Sequence, residues 1–108
     1  MSSSRRIKSK VIADISIYPI GLGTSLGVHV QAAYNAMRSE RGVRLVPSAM
    51  STNMEADDLD SVFRAVKKAH ATLIRKGAKR IAVYLRIDHR LDKAETIEYK
   101  IARIQGRL

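Results

Sequence analysis

A single glutamate, Glu55, stands in the run Ser48-Ala-Met-Ser-Thr-Asn-Met-Glu-Ala-Asp-Asp-Leu-Asp60, where an extended segment passes into a helix start guarded by three aspartates. Glutamate is a poor strand former and is rarely buried without a partner. Its place in this run therefore points either to a use for its charge or to a solvated strand end. The aspartates at 57, 58 and 60 are better suited to cap a helix and face its positive end than to ligate a metal. His29, His70 and His89 offer no i,i+4 pair and no carboxylate at metal spacing, so a metal centre is not expected. Ser25 and His29 would share a helical turn and could imitate a nucleophile and its base. With no orienting acid or oxyanion arrangement evident, catalysis is not expected either. Gly21-Leu-Gly-Thr-Ser25 could aim backbone N–H groups at an anion, yet it lacks a Gly-Lys-Ser/Thr and a Gly-x-Gly-x-x-Gly. A strand-to-helix turn capped by Thr24 or Ser25 is the simpler reading.

Positioning these residues falls to seven elements. Residues 11–20 alternate, with Val11, Ala13, Ile15 and Ile17 on one face and Asp14, Ser16 and Tyr18 on the other, which predicts a strand with one core face. A helix follows with the stripe Leu26, Val30, Ala33 and Met37, closed by Arg41 and a C′ glycine, Gly42. Residues 43–49 predict a second strand, placed at a sheet edge by Pro47, and residues 50–56 a third after a short connection. The second helix carries Leu59, Val62, Val66, Ala69 and Leu73, with Phe63 beside them, and ends at Arg75-Lys76-Gly77. Arg80–Asp88 alternates most strictly, with Ile81, Val83, Leu85 and Ile87 opposite Tyr84, Arg86 and Asp88. A third helix then places Ile97, Ile101 and Ile104 on one side. The order predicts an α+β fold, a ferredoxin-like βαββαβ sandwich with an added C-terminal helix. Both main helices cover one face of its sheet. The other face, with Asp14, Ser16, Tyr18, Tyr84, Arg86 and Asp88, is left to water, to a second subunit or to a ligand.

The 108 residues allow one domain, burying roughly two-thirds of the unfolded chain's surface. Cysteine is absent, which removes disulfides and thiolate chemistry. With neither a span of about 18 apolar residues nor a secretory apolar stretch, a cytoplasmic address is expected. The net charge of +10 raises the prospect of an anionic partner. Arg5, Arg6, Lys8 and Lys10 carry four of those charges in a Ser-rich leader, residues 1–10, too polar to order itself, leaving +6 on the single domain of residues 11–108. RNA or DNA binding through these bases and the Arg80, Tyr84, Arg86 face is the alternative to a small ligand.

Three segments, Ile17-Tyr-Pro-Ile-Gly-Leu-Gly-Thr-Ser-Leu26, Ala49-Met-Ser-Thr-Asn-Met-Glu-Ala56 and Lys79-Arg-Ile-Ala-Val-Tyr-Leu-Arg-Ile-Asp-His-Arg90, together resemble the small thiamine-binding, YkoF-like family. The likeness runs through residues 11–104, and departs from the family's pattern at Ser51, where glycine is common, and in the basic leader. It implies a ferredoxin-like fold, homo-oligomers that are commonly tetramers built as dimers of dimers, and binding of thiamine or its hydroxymethylpyrimidine moiety without catalysis or a cofactor. By the same resemblance the ligand-facing hydroxyls map to Thr24 and Ser25, and a Thr-x-x-Glu to Thr52 and Glu55. Asp88 and Arg90, at the end of the last strand, map to ligand or interface positions. An aminopyrimidine would be met by Glu55 and by Thr52 or Ser25, with Tyr18 or Met50 covering its plane. The thiazolium cation would need Glu55 or Asp88, and a phosphate would need Arg86 or Arg90. The expectation is thus a carboxylate held in a partly enclosed niche. A Glu55 locked by an arginine with no hollow nearby would count against the small-molecule reading as a whole.

Overall fold

The structure is a computed structural model and describes residues 9–108. The elements run β1 (Val11–Pro19), α1 (Gly27–Arg38), β2 (Val43–Pro47), β3 (Thr52–Ala56), α2 (Leu59–Arg75), β4 (Ile81–His89) and α3 (Ile97–Ile104). The four strands form one antiparallel sheet in the order β2-β3-β1-β4. This is the α+β, ferredoxin-like sandwich that the alternation and helix periods predict. Pro47 does end an edge strand, where its missing N–H costs the ladder nothing.

The core lies between the sheet and α1 and α2. Val11, Ala13, Ile15 and Ile17 of β1 and Met54 and Ala56 of β3 meet Ala33 and Met37 of α1 and Val62, Ala65, Ala69 and Leu73 of α2, all buried. Asp58 fixes the start of α2 by accepting the Ser61 backbone N–H at 2.8 Å. The same helix closes at Gly77, whose φ of +96° suits the left-handed position after a helix end.

Several local expectations differ from the structure. Helix α1 begins at Gly27, and its N-cap is Leu26 without any side-chain cap, so neither Thr24 nor Ser25 caps it. Ser25 therefore lies ahead of the helix and does not share a helical turn with His29, which removes the geometry of a nucleophile and its base. The helix ends at Arg38, so Gly42 is not its C′ residue. Gly42 instead adopts φ +80° in the turn into β2, where its carbonyl accepts the Asp57 N–H at 2.9 Å. A Cβ there would meet Ser61 Oγ at 3.1 Å, so the start of α2 is packed against a backbone that needs no side chain. Strands β2 and β3 are shorter than read, because residues 48–51 form the connection between them.

Against the opposite face of the sheet lies α3, held near Glu55. Ile97 is its buried residue, whereas Ile101 and Ile104 remain exposed. Residues 1–8, most of the basic leader, lie outside the described residues. Ser9 and Lys10 are already tied to the domain, through Ser9 Oγ to His89 Nε2 at 3.0 Å and Lys10 to Asp57 at 2.8 Å.

Candidate functional site

A wide hollow among the described residues follows from a mismatch in strand length. Strand β3 begins at Thr52, which faces Ile15, while β1 continues to Pro19. Beyond Ile15 the strand is paired only with β4, so alternate N–H and C=O groups between Ser16 and Pro19 point past the end of β3 without a strand partner. The hollow beside them measures about 1140 Å³. Its floor is Ile15–Tyr18, one wall is the face of α1 that carries Gly27, Gln31 and Tyr34, the other is the hairpin of residues 47–52, and Tyr84 stands at the rim. This explains why Val28 and Val30 of α1 are exposed: the first turns of the helix overhang the hollow instead of the sheet.

The hairpin wall is fastened from below. Ser16 Oγ donates to the Met50 carbonyl at 2.9 Å, and Ser51 Oγ donates to Asp14 at 3.2 Å. Ser48 Oγ and its backbone N–H both donate to the Ser51 carbonyl at 2.8 Å, closing the turn. Asp14 also receives Arg86 at 3.1 Å, so one carboxylate joins β4, β1 and the hairpin. Tyr18 and Tyr84 stack with ring centroids 6.3 Å apart and planes 18° from parallel, an offset arrangement that aromatic pairs favour. The Tyr84 hydroxyl raises the Tyr18 phenol above its usual value, with desolvation adding to the effect.

Of the residues expected at the site, Tyr18, Ser25, Met50 and Thr52 line this hollow together. Thr24 does not, because it lies in the turn before α1. Glu55 is also elsewhere. The register alternates along β3, so Glu55 faces the side that bears α3, where Oε1 accepts Arg44 Nη2 and the Ile97 backbone N–H, each at 3.0 Å. Its charge receives an arginine and the first N–H of a helix, and it is not among the residues that line the hollow, where it was expected. Asp88 is likewise engaged, by Lys100 at 2.6 Å, which holds its carboxyl below the usual range. Arg90 pairs with Asp92 at 2.7 Å. Among the described residues no group of three or more metal-ligating side chains converges.

Gln31 and Tyr34 of α1, and Ser48 and Ser51 of the hairpin, are lining residues that the sequence reading missed. The i, i+4, i+7 spacing of Gly27, Gln31 and Tyr34 was the available signal for the helix pair. None of the nineteen lining residues carries a formal charge: the polar groups are hydroxyls, one carboxamide and backbone. Such a wall suits an uncharged, flat, partly polar molecule.

The model of the Thiamine-binding protein family matches residues 13–105. The chain belongs to that family. Its relatives include the UPF0045 protein sll0230 of Synechocystis, 35% identical over 106 residues, which span 97% of this chain and 86% of that one. The UPF0045 protein MJ1052 of Methanocaldococcus jannaschii is 37% identical over 95 residues, covering 88% and 92% of the two chains. The crystal structure of MJ1052 superposes with a TM-score of 0.79 at 35% identity over 92% of this chain and 98% of that one. A domain of Bacillus cereus of unknown function has the same fold, with a TM-score of 0.77 at 25% identity over 88% of this chain and 89% of that one. Family membership and the resemblance drawn from the three sequence segments agree, and the family is named for binding. Among the described residues no helix is long and apolar enough to cross a membrane.

Proposed function

We propose that this chain is a non-catalytic, cytoplasmic binding protein for thiamine or its hydroxymethylpyrimidine moiety, and that it takes up the pyrimidine in the hollow between β1, α1 and the β2–β3 hairpin. The observation that carries this reading is the composition of the lining. Apolar surface from Val28, Val30 and Met50, with the Tyr18 ring, can cover the faces of a ring, while Ser25, Thr52 and Gln31 supply donors and acceptors for its edge. Family membership supports the ligand class. The hollow is larger than a single pyrimidine needs, but the cationic second ring of thiamine would find no acid in its lining, so the neutral pyrimidine is the better fit.

The same reading includes self-association as a homotetramer. Among the described residues the outer edge of β4 has no strand partner along its nine residues, and Val83 and Ile87 on it are each 39% exposed. Long apolar edges of this kind favour pairing with a further chain. The exposed Ile101 and Ile104 of α3 add a second apolar surface.

Calorimetric titration with hydroxymethylpyrimidine, thiamine and thiamine phosphates tests the proposal. Saturable heat with the pyrimidine, weakened by Thr52→Val, supports it. Absence of heat with all of them at millimolar ligand removes it. Sedimentation of the same samples reports the oligomeric state. An affinity for RNA that falls steeply with salt and survives removal of residues 1–10 would point instead to the Tyr84 and Arg86 face.

A further inference from the structure

We propose that Gln31 is the specificity-determining residue of the hollow, reading the amino-nitrogen edge of a neutral aminopyrimidine. This rests on the ligand class proposed above and assigns a role to a residue that the family likeness did not single out. The residues that line the hollow carry no formal charge. In an uncharged wall, selectivity must come from how donors and acceptors are arranged. Hydroxyls rotate to donate or accept as required and discriminate poorly. Moreover, Ser16, Ser48 and Ser51 already donate their protons to the Met50 carbonyl, the Ser51 carbonyl and Asp14.

Gln31 is the one carboxamide in the lining. Its oxygen and its NH₂ lie side by side in a plane, and an aminopyrimidine presents a ring nitrogen beside an exocyclic amine in the same way. Two parallel hydrogen bonds can form between them, which is the geometry by which glutamine recognises adenine. The helix fixes the backbone of Gln31, which stands one turn after Gly27 and one turn before Tyr34 inside α1, with its side chain exposed to whatever enters the hollow. A site on a helix is held more firmly than one on a loop.

The uncharged wall has a second consequence for the same ligand. A phosphorylated pyrimidine would bring a dianion into a hollow whose lining provides no Lys or Arg, and an unpaired charge is costly to desolvate. The free alcohol should therefore bind more tightly than its phosphate ester.

The test is a titration of two proteins with two ligands, the intact chain and Gln31→Leu against hydroxymethylpyrimidine and its analogue lacking the 4-amino group. Circular dichroism and melting curves first establish that the variant is folded, and Gln31→Asn serves as a second variant that keeps the amide on a shorter arm. Gln31→Leu should weaken the aminopyrimidine by about tenfold or more, the effect of leaving a polar edge unpaired, and change the des-amino analogue by less than about twofold. Equal losses for both ligands, or no loss for either, would overturn the role of Gln31 while leaving the binding function intact. Failure of the unmodified protein to bind the aminopyrimidine would overturn both.

Discussion

Replacing Glu55 by alanine should loosen α3 and leave the pyrimidine hollow unchanged. The Glu55 side chain is 12% exposed and accepts two hydrogen bonds, one from the backbone of Ile97 and one from Arg44. Ile97 is itself buried, at 3% exposure, so its N–H loses an acceptor that water replaces poorly, a cost of about 1–2 kcal/mol. Arg44 is 45% exposed and keeps Glu98 at 2.6 Å, so its lost ion pair with Glu55 adds only about 0–1 kcal/mol. The total of roughly 1–3 kcal/mol corresponds to a fall in Tm of about 5–20 °C for a domain of this size. Thermal melts read the change, and hydrogen exchange at the amides of residues 97–104 should accelerate before the rest of the chain. Glu55→Gln retains a carbonyl acceptor for Ile97 and should lose no more than about 1 kcal/mol. An unchanged Tm together with lost affinity for the pyrimidine would refute this assignment and return Glu55 to the ligand.

Three further outcomes follow from the same geometry. Gly42→Ala forces a left-handed φ on a residue with a Cβ and presses it to 3.1 Å from Ser61 Oγ, so the urea midpoint should fall by the equivalent of about 1–2 kcal/mol without a change in m. Ser16→Ala releases the Met50 carbonyl from its 2.9 Å bond, which should speed amide exchange at residues 48–51 and weaken pyrimidine binding by about 1 kcal/mol. The carboxyls of Glu98, beside Arg44, and Asp88, beside Lys100, are held below their usual values. The folded chain thus binds fewer protons there than the unfolded chain, and the stability these pairs supply is present above the ordinary carboxylate range and lost as pH falls through the lowered values. Melting curves between neutral pH and pH of about 3 should show a drop that Asp88→Asn with Glu98→Gln makes shallower.

The fold was legible because its signals are periodic and local. Alternation in Val11–Ile17 and Arg80–Asp88, the aspartates before Leu59 and Gly77 after the second helix each follow from residue type and spacing alone. The site was legible only in part. Tyr18, Met50 and Thr52 flank turns and strand ends, where hydroxyls and exposed apolar groups hint at a ligand, and they do line the hollow. Glu55 misled because its partner, the N–H of Ile97, lies 42 residues away on a helix whose docking face no periodicity reveals. Gln31 escaped notice because a single glutamine on an amphipathic helix is unremarkable until β3 is seen to stop at Thr52 and leave the helix overhanging a gap. Edge shape depends on how far one strand outruns another, which is a property of the pairing and not of either strand.

Where a pyrimidine binds on the chain is the decisive measurement. Two-dimensional ¹⁵N NMR of the labelled chain titrated with hydroxymethylpyrimidine locates it in one series of spectra. The predicted result is saturable shifts confined to the amides of residues 15–18, 25–34 and 48–52, with those of Glu55, Ile97 and Asp88 unmoved. Shifts centred on Glu55 and α3, or spectra unchanged at millimolar ligand, would contradict it.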